Sequence, residues 1–358
     1  MKFVHLVIPD LLLPQPLAGE ACAGLSLPAL QKLLGRGRRE ILEPVSLEQL
    51  LYLSFAKPDP AYPALDDAPV AAISASFDGL DTGCWLRADP VNLSLQRDHL
   101  LLSGVRVNSE EAAQLCASLN GHFAGQGIEF RAPHPQRWYL RPDELPRIRT
   151  TPLSQALGND VRRILPAGED AVRWHQLFNE VQMLLHAHPV NEARVERGEA
   201  IINSVWFWGG GCDRASGSLR SSGEPAGPLL AGALLRKNYD CVSSDDVLAE
   251  MFAASAGIPF SLWAEQWRDE SAIGRQLLVW TGLREVLQRG DLAGWRTALQ
   301  EFETGYVQPI FQALRSGRIA GLQLDVPGRQ KRMRMRLTRY DAWALWRPAR
   351  RLAVYSMV

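Results

Sequence analysis

No run of apolar residues in this 358-residue chain is long enough to cross a bilayer. The longest, such as "LVIPDLLL" and "LLAGALL", stop well short of the roughly 20 residues a spanning helix needs. Excess charge is missing too: Lys+Arg and Asp+Glu number 39 each, so no global field draws the chain to nucleic acid or to an anionic membrane. Cysteine is scarce. Cys22, Cys84, Cys116, Cys212 and Cys241 are odd in number and scattered without a Cys-x-x-Cys pair. They read as free thiols of a reducing cytoplasm rather than as a disulfide frame or a zinc site. The opening "MKFVHLVIPD" runs directly into a strand-like segment and lacks the pattern of a secretory signal. There is no internal repeat and no low-complexity run. These absences lead us to expect a cytoplasmic protein with no membrane partner and no nucleic-acid partner.

What is present is an alternation of periodic segments. "FVHLVIP" (3–9) is a short apolar strand pattern, "LPALQKLLGRGR" (27–38) has leucines at helical spacing, and "SLEQLLYLSFA" (46–56) opens with Ser46 as a helix N-cap. After the Pro- and Asp-rich "KPDPAYPALDDAP" come short strand-like runs broken by one helix, "SEEAAQLCASLNGHF", with Ser109 as its cap. From about residue 168 helices and strands alternate again. That alternation predicts a mainly parallel α/β sheet with helices on both faces, and the short-strand section is an inserted, smaller α+β domain. The expected division is a core of residues 1–60 and 152–358 with an insertion at 61–151. Near the end, "RMRMRLTRY" alternates in a way that suits a solvated edge strand, with anion or nucleic-acid contact as the alternative.

The densest stretch is "LLHAHPVNEARVERGEAIINSVWFWGGG" (184–211). His186 and His188 straddle a helix end before Pro189. Metal ligation by two histidines wants helical spacing or a nearby acidic third ligand, so His188 is read as anchoring the joint by hydrogen bonds. Asn191 and Arg194 are candidates for an anion site beside the backbone of Gly209–Gly211. Glycines there permit close approach, and Arg is a fixed fork of donors for phosphate or carboxylate. The competing reading is a tight strand-end turn with no ligand.

"HPVNEARVERGEAIINSVWFWGGG" resembles the His-Pro-x-Asn…Arg…Gly…Asn…Trp-Gly-x-Gly segment of the archaeal-type cofactor-independent phosphoglycerate mutases, of the alkaline phosphatase superfamily. "LPALQKLLGRGR", "EPVSLEQLLYLSF" and "CWLRADPVNL" resemble that family's early helix, nucleophile segment and insertion-domain Phe-Arg-x-Asn segment. With "WLRADPVNL" added, the pattern is similar to a bacterial branch of RpfE-type regulatory proteins. The resemblance implies an alkaline-phosphatase-like core, a Ser nucleophile and two divalent metals held by an early Asp and by later Asp and His ligands. Residue by residue, Asp10 matches the early Asp, although Pro-Asp-Leu replaces Asp-Gly. Ser46 matches the nucleophile, with Leu47 in place of its acidic neighbour. Asp325 matches the late Asp, with Val326 where histidine should follow. The central Asp-Glu-x-x-His falls near "VWTGLREVLQRGD", where Glu285 and Asp291 are the acids.

All seven histidines lie at or before His188. A two-metal centre needs N/O ligands in fixed geometry to activate the attacking oxygen, and an unactivated Ser is a poor nucleophile. The expectation is therefore a mutase-like protein that has lost its two-metal centre and uses no cofactor, with a single Mg²⁺ on Asp10 and Asp325 as the residual possibility. It would act as a regulatory or ligand-binding protein on a small anionic ligand or a protein partner. The alternatives are a divergent metal-dependent phosphomutase or phosphatase using Asp10 and Ser46, and a structural interaction module.

Overall fold

The computed structural model describes residues 2–15, 17–56, 67–96, 98–212, 235–269, 274–328 and 330–356. Along the chain its strands are β1 (Phe3–Val7), β2 (Arg38–Leu42), β3 (Cys84–Gln96), β4 (His99–Gly104), β5 (Ile128–His134), β6 (Arg137–Pro142), β7 (Ile148–Arg149) and β8 (Ala167–Gly168). They continue as β9 (Ser204–Cys212), β10 (Cys241–Ser244), β11 (Phe260–Leu262), β12 (Arg275–Val279), β13 (Gly321–Val326) and β14 (Arg332–Thr338). The chain forms two compact units, one of Met1–Phe55 with Lys237–Val358, the other of Ala56–Arg236.

The first unit is built on a seven-stranded sheet in the order β11-β10-β12-β1-β13-β14-β2. β11, β10, β12, β1 and β13 run parallel, and β14 is antiparallel to both its neighbours. Because side chains alternate across a strand, β1 sends Val4 and Leu6 to one face and His5 and Val7 to the other. The first face packs on the helices Pro28–Arg36, Leu292–Phe302 and Gln308–Ser316 in one apolar core. Within that core Trp280 and Phe302 stack at 4.1 Å, and Trp263 and Tyr306 at 4.0 Å. On the opposite face Phe55 stacks on Phe252 of the helix Val247–Ser255 and meets Tyr239. The expected mainly parallel sheet covered on both faces is what forms.

The helix Pro28–Arg36 has no side-chain cap of its own at Leu27. Its orphan amides at Ala29 and Leu30 are met instead by the carboxylate of buried Glu303, at 2.6 and 3.0 Å. Glu303 begins a π-helical turn, Glu303–Val307, just ahead of Pro309. Proline removes one helical donor, and the wider turn takes up the mismatch.

The second unit carries a sheet in the order β4-β3-β6-β5, with β9 pairing β3 from the other side. Three expectations change here. The sheet membership of β9 moves residues 152–236 out of the core and into the inserted unit. The helix Ala171–His186 followed by β9 mimics the helix–strand rhythm of the first unit, but β9 runs antiparallel to β3, and Trp174 packs edge-on against Phe207. The expected crossing at 60/61 lies outside the described residues. Cys84 and Cys212 face each other in register, with Cα atoms 4.0 Å apart, and form a disulfide; Cys22, Cys116 and Cys241 take no part in one. The expectation of free thiols throughout is corrected to that extent, since spacing 128 residues apart gave no local pattern to read. The cap of the helix Ser109–His122 is Asn108, which forms a capping box with Glu111, and not Ser109.

In the first unit, β14 is not an edge strand: it lies between β13 and β2. Among the described residues no helix is long and apolar enough to cross a membrane.

Candidate functional site

In open α/β sheets the binding crevice lies beyond the carboxyl ends of the parallel strands. Beyond β1 stands Asp10, whose backbone takes a left-handed φ of 62°. Directly after β10 come Asp245 and Asp246, and after β12 come Thr281 and Arg284. The helix Leu47–Phe55 opens here with Ser46 and Glu48.

Arg284 is central to this group. Its Nε lies 3.4 Å from Asp10 Oδ2. Burial alone would lower the Arg284 pKa, but the charges of Glu48, Asp10 and Asp246 outweigh it and hold the pKa above its ordinary value. Burial pushes the Asp246 carboxyl up, with Arg284 acting against that, while one Asp246 oxygen caps the helix Val247–Ser255 through Leu248 N. Asp245 accepts Thr281 N at 2.8 and 3.0 Å. Glu48 is only 4% exposed, and its Oε2 has no hydrogen-bond partner among the described residues.

Asp325, at the end of β13, is fully buried and does not join them. Its Oδ2 takes His5 Nε2 at 2.7 Å and Gln323 Nε2 at 2.7 Å, and its Oδ1 takes Arg332 Nε at 2.7 Å and Arg334 Nε at 3.1 Å. The other nitrogen of His5 meets Tyr239 OH at 2.7 Å. The network assigns a neutral ring that donates from Nε2 and accepts the phenol proton at Nδ1. Burial lowers the His5 pKa against the pull of Asp325. Burial works against the Asp325 charge, yet its bonds to His5 and the arginines hold it far below the usual carboxylate range.

Ser46 is 4% exposed and caps its helix: its Oγ accepts Gln49 N at 3.0 Å, and Gln49 Oε1 accepts Ser46 N at 2.8 Å. Among the described residues, no three or more His, Cys, Asp and Glu side chains are arranged to hold a metal ion.

The 186–211 segment lies in the second unit. His188 caps the helix Pro189–Glu196, its Nδ1 accepting Val190 N, while Nε2 bonds Ser118 Oγ at 2.9 Å. Asn191 and Arg194 are buried, and the expectation that they display their polar atoms to an anion is corrected. Asn191 Nδ2 donates to Leu185 O and Ile202 O, and its Oδ1 accepts Ile202 N. Arg194 donates to Ala200 O, Arg106 O and Glu111 Oε2, the last at 2.7 Å. Gly209–Gly211 continue β9 instead of forming a turn. Gly209 N donates to Asp67 Oδ2 and Thr150 Oγ1. A Cβ on Gly209 would meet Val70 Cγ2 at 2.6 Å, and one on Gly211 would meet Pro69 Cβ at 2.8 Å. The glycines thus let the helix Val70–Phe77 rest on the strand. In "WLRADPVN", Arg87 lies between the rings of Tyr139 and Trp208 and donates to Asp89 Oδ1 at 2.6 Å.

Sequence reasoning brought out Asp10, Ser46 and Asp325 but missed Glu48, Asp246, Arg284, His5 and Tyr239. Two acids directly after the short "CVSS" segment were the available signal for Asp246. Nothing local marks Arg284, because its significance lies in three carboxylates distant in sequence.

A family model described as 2,3-bisphosphoglycerate-independent phosphoglycerate mutase matches residues 68–191. The 2,3-bisphosphoglycerate-independent phosphoglycerate mutase of Methanosarcina barkeri is 26% identical over 259 residues, 71% of this chain and 65% of that enzyme, just under two thirds of its length. The protein of the same name from Methanosarcina mazei is 24% identical over 303 residues, 80% of this chain and 74% of the other. Among solved structures, the PH0037 protein of Pyrococcus horikoshii superposes with a TM-score of 0.55 at 12% identity, covering 99% of this chain and 92% of that one. The chain resembles archaeal-type cofactor-independent phosphoglycerate mutases, and its fold is of the alkaline-phosphatase-like α/β type.

Proposed function

We propose that this is a phosphoglycerate-mutase-like protein that does not carry out two-metal phosphoryl transfer and acts instead as a regulatory, ligand-binding protein in the cytoplasm. The observation that carries this reading is the state of Asp325. Both its oxygens are already bonded to Gln323, His5 and two arginines of the same sheet. A carboxylate so neutralised offers a divalent ion neither free lone pairs nor unspent charge. The residues at the other strand ends support the same view, because the guanidinium of Arg284 stands among Asp10, Glu48 and Asp246. Among the described residues the donor set does not fit two divalent metals. Ser46 supports the reading as well, since its hydroxyl is engaged in a helix cap and, among the described residues, no base is placed on it.

The test combines two measurements on the purified full-length chain. Elemental analysis is expected to find no stoichiometric Mn, Zn or Mg, and interconversion of 2- and 3-phosphoglycerate is expected to stay at background with Mn²⁺ or Mg²⁺ added. About two tightly held metals per chain together with turnover would overturn the proposal, because that pairing marks the two-metal mechanism.

A further inference from the structure

At the amino ends of the same parallel strands, the first unit carries an open cavity of about 1180 Å³ lined by β1, β12, β13, the end of β14 and the start of β2. Seven of its lining residues are basic and one, Asp341, is acidic, in a chain whose total charge is zero. Three of the seven are neutralised: Lys2 by Asp269, Arg336 by Glu40 and Arg347 by Asp341. The other four, Arg38, Arg39, Arg275 and Arg350, make no ion pair with a carboxylate among the described residues.

Two of those four are braced by aromatic rings instead. Arg275 lies 5.5 Å from the Phe3 ring centre, and Arg39 lies 5.8 Å from that of Tyr355. A ring face steadies a guanidinium through its π electrons and leaves the N–H donors unspent. Arg38 of β2 stands directly opposite Arg336 of β14, whose charge Glu40 takes up, so Arg38 is the member of that cross-strand pair left without a carboxylate.

We propose that this cavity binds a small molecule carrying several phosphate groups, with Arg38, Arg39, Arg275 and Arg350 supplying the donors. Several phosphates, and not one, match a field of four uncompensated arginines. The size is ample, since small-molecule pockets commonly run to about 300–1,000 Å³. The ring faces are taken by arginines, so recognition falls on the anionic groups and not on an aromatic base. This site is separate from the carboxylate group at the opposite strand ends and does not depend on whether that group catalyses.

The test is calorimetric titration of the full-length protein with inorganic tripolyphosphate, orthophosphate and a duplex oligonucleotide, beside thermal melts with each. Tripolyphosphate is expected to bind at least about tenfold more tightly than orthophosphate and to raise Tm, with an affinity that falls as salt rises. Arg38→Gln should abolish most of the Tm shift that tripolyphosphate gives, Arg350→Gln should weaken binding as well, and Arg289→Gln, on an exposed pair with Glu285, should leave both binding and the Tm shift unchanged. Binding unaffected by both Arg38→Gln and Arg350→Gln would overturn the proposal, as would tripolyphosphate binding no better than orthophosphate. Tighter binding of the duplex through the same arginines would replace the small molecule with nucleic acid.

Discussion

The guanidinium of Arg284 lies 3.4 Å from the carboxylate of Asp10, beyond the carboxyl ends of β1 and β12, with Glu48 and Asp246 contributing to the same field. Removing it takes away the cation that these three carboxylates share. Arg284→Ala is expected to cost roughly 1–3 kcal/mol, less than a fully buried pair because both side chains keep some exposure. The variant's Tm should then rise on adding millimolar Mg²⁺, whereas the wild-type Tm should not. Calorimetric melts decide it; a wild-type Tm that climbs with Mg²⁺ as steeply as the variant's would remove Arg284 from this role.

Ser46 separates a helix cap from a nucleophile. Ser46→Asp should keep the fold, since Asp caps a helix as well as Ser does, while Ser46→Ala should lose on the order of 1 kcal/mol. Urea unfolding of the two variants reads this directly, and a phosphoserine at this position recovered during phosphoester turnover would reverse it.

Stability should fall as the solution is acidified. His5 has a folded pKa below its unfolded value near 6.5, so the unfolded chain takes up the proton first, and its contribution is complete above that pH and drains away below it. Asp325 acts in the same direction at lower pH. Its folded pKa lies below the unfolded value near 4, so its contribution is present above that value and is lost as pH falls further. Denaturant melts at pH 7.5 and 5.5 should show wild type losing stability over that interval and His5→Gln losing less. Equal losses in the two proteins would exclude His5 as the source.

Glu303 caps a helix to which it does not belong. Glu303→Ala strands the amides of Ala29 and Leu30 in the core and should cost about 2–3 kcal/mol, whereas Glu303→Gln, which keeps one acceptor, should cost clearly less. Chemical denaturation of both variants provides the comparison, and equal losses would assign the effect to packing alone.

The cysteines divide by chemistry. A peptide map under non-reducing conditions should recover Cys84 joined to Cys212. Burial pushes the Cys116 thiol up to about 12, so it should resist alkylation in the native state and react once the chain is unfolded. Rapid native labelling of Cys116 would contradict its placement.

Much of the architecture was legible because period-two and helical patterns act locally. β1, β12 and β13 could be read from "FVHLV", "RQLLV" and "GLQLDV". The assignment of β9 could not be, since an apolar run does not state its partner, and only pairing with β3 decides which unit it joins. At the site, Ser46 was readable as a cap from its own helix. The burial of Arg194 was not, because its partner Glu111 belongs to a distant helix whose cap it also forms. Basic alternation in β14 looked like a solvated edge, yet β2 pairs its far side, and Arg332 and Arg334 bond the buried Asp325 of the neighbouring β13.

The position of β14 also bears on synthesis from the ribosome. Asp325 emerges before Arg332 and Arg334, and until that later hairpin partner arrives, its carboxylate has His5 and Gln323 but neither arginine. β2, made near the start, likewise has no neighbour in the sheet until β14 slots between it and β13. The sheet therefore closes late, from its most recently made strand, and a nascent chain held short of Arg332 carries both an interior charge without its arginines and an unpaired edge.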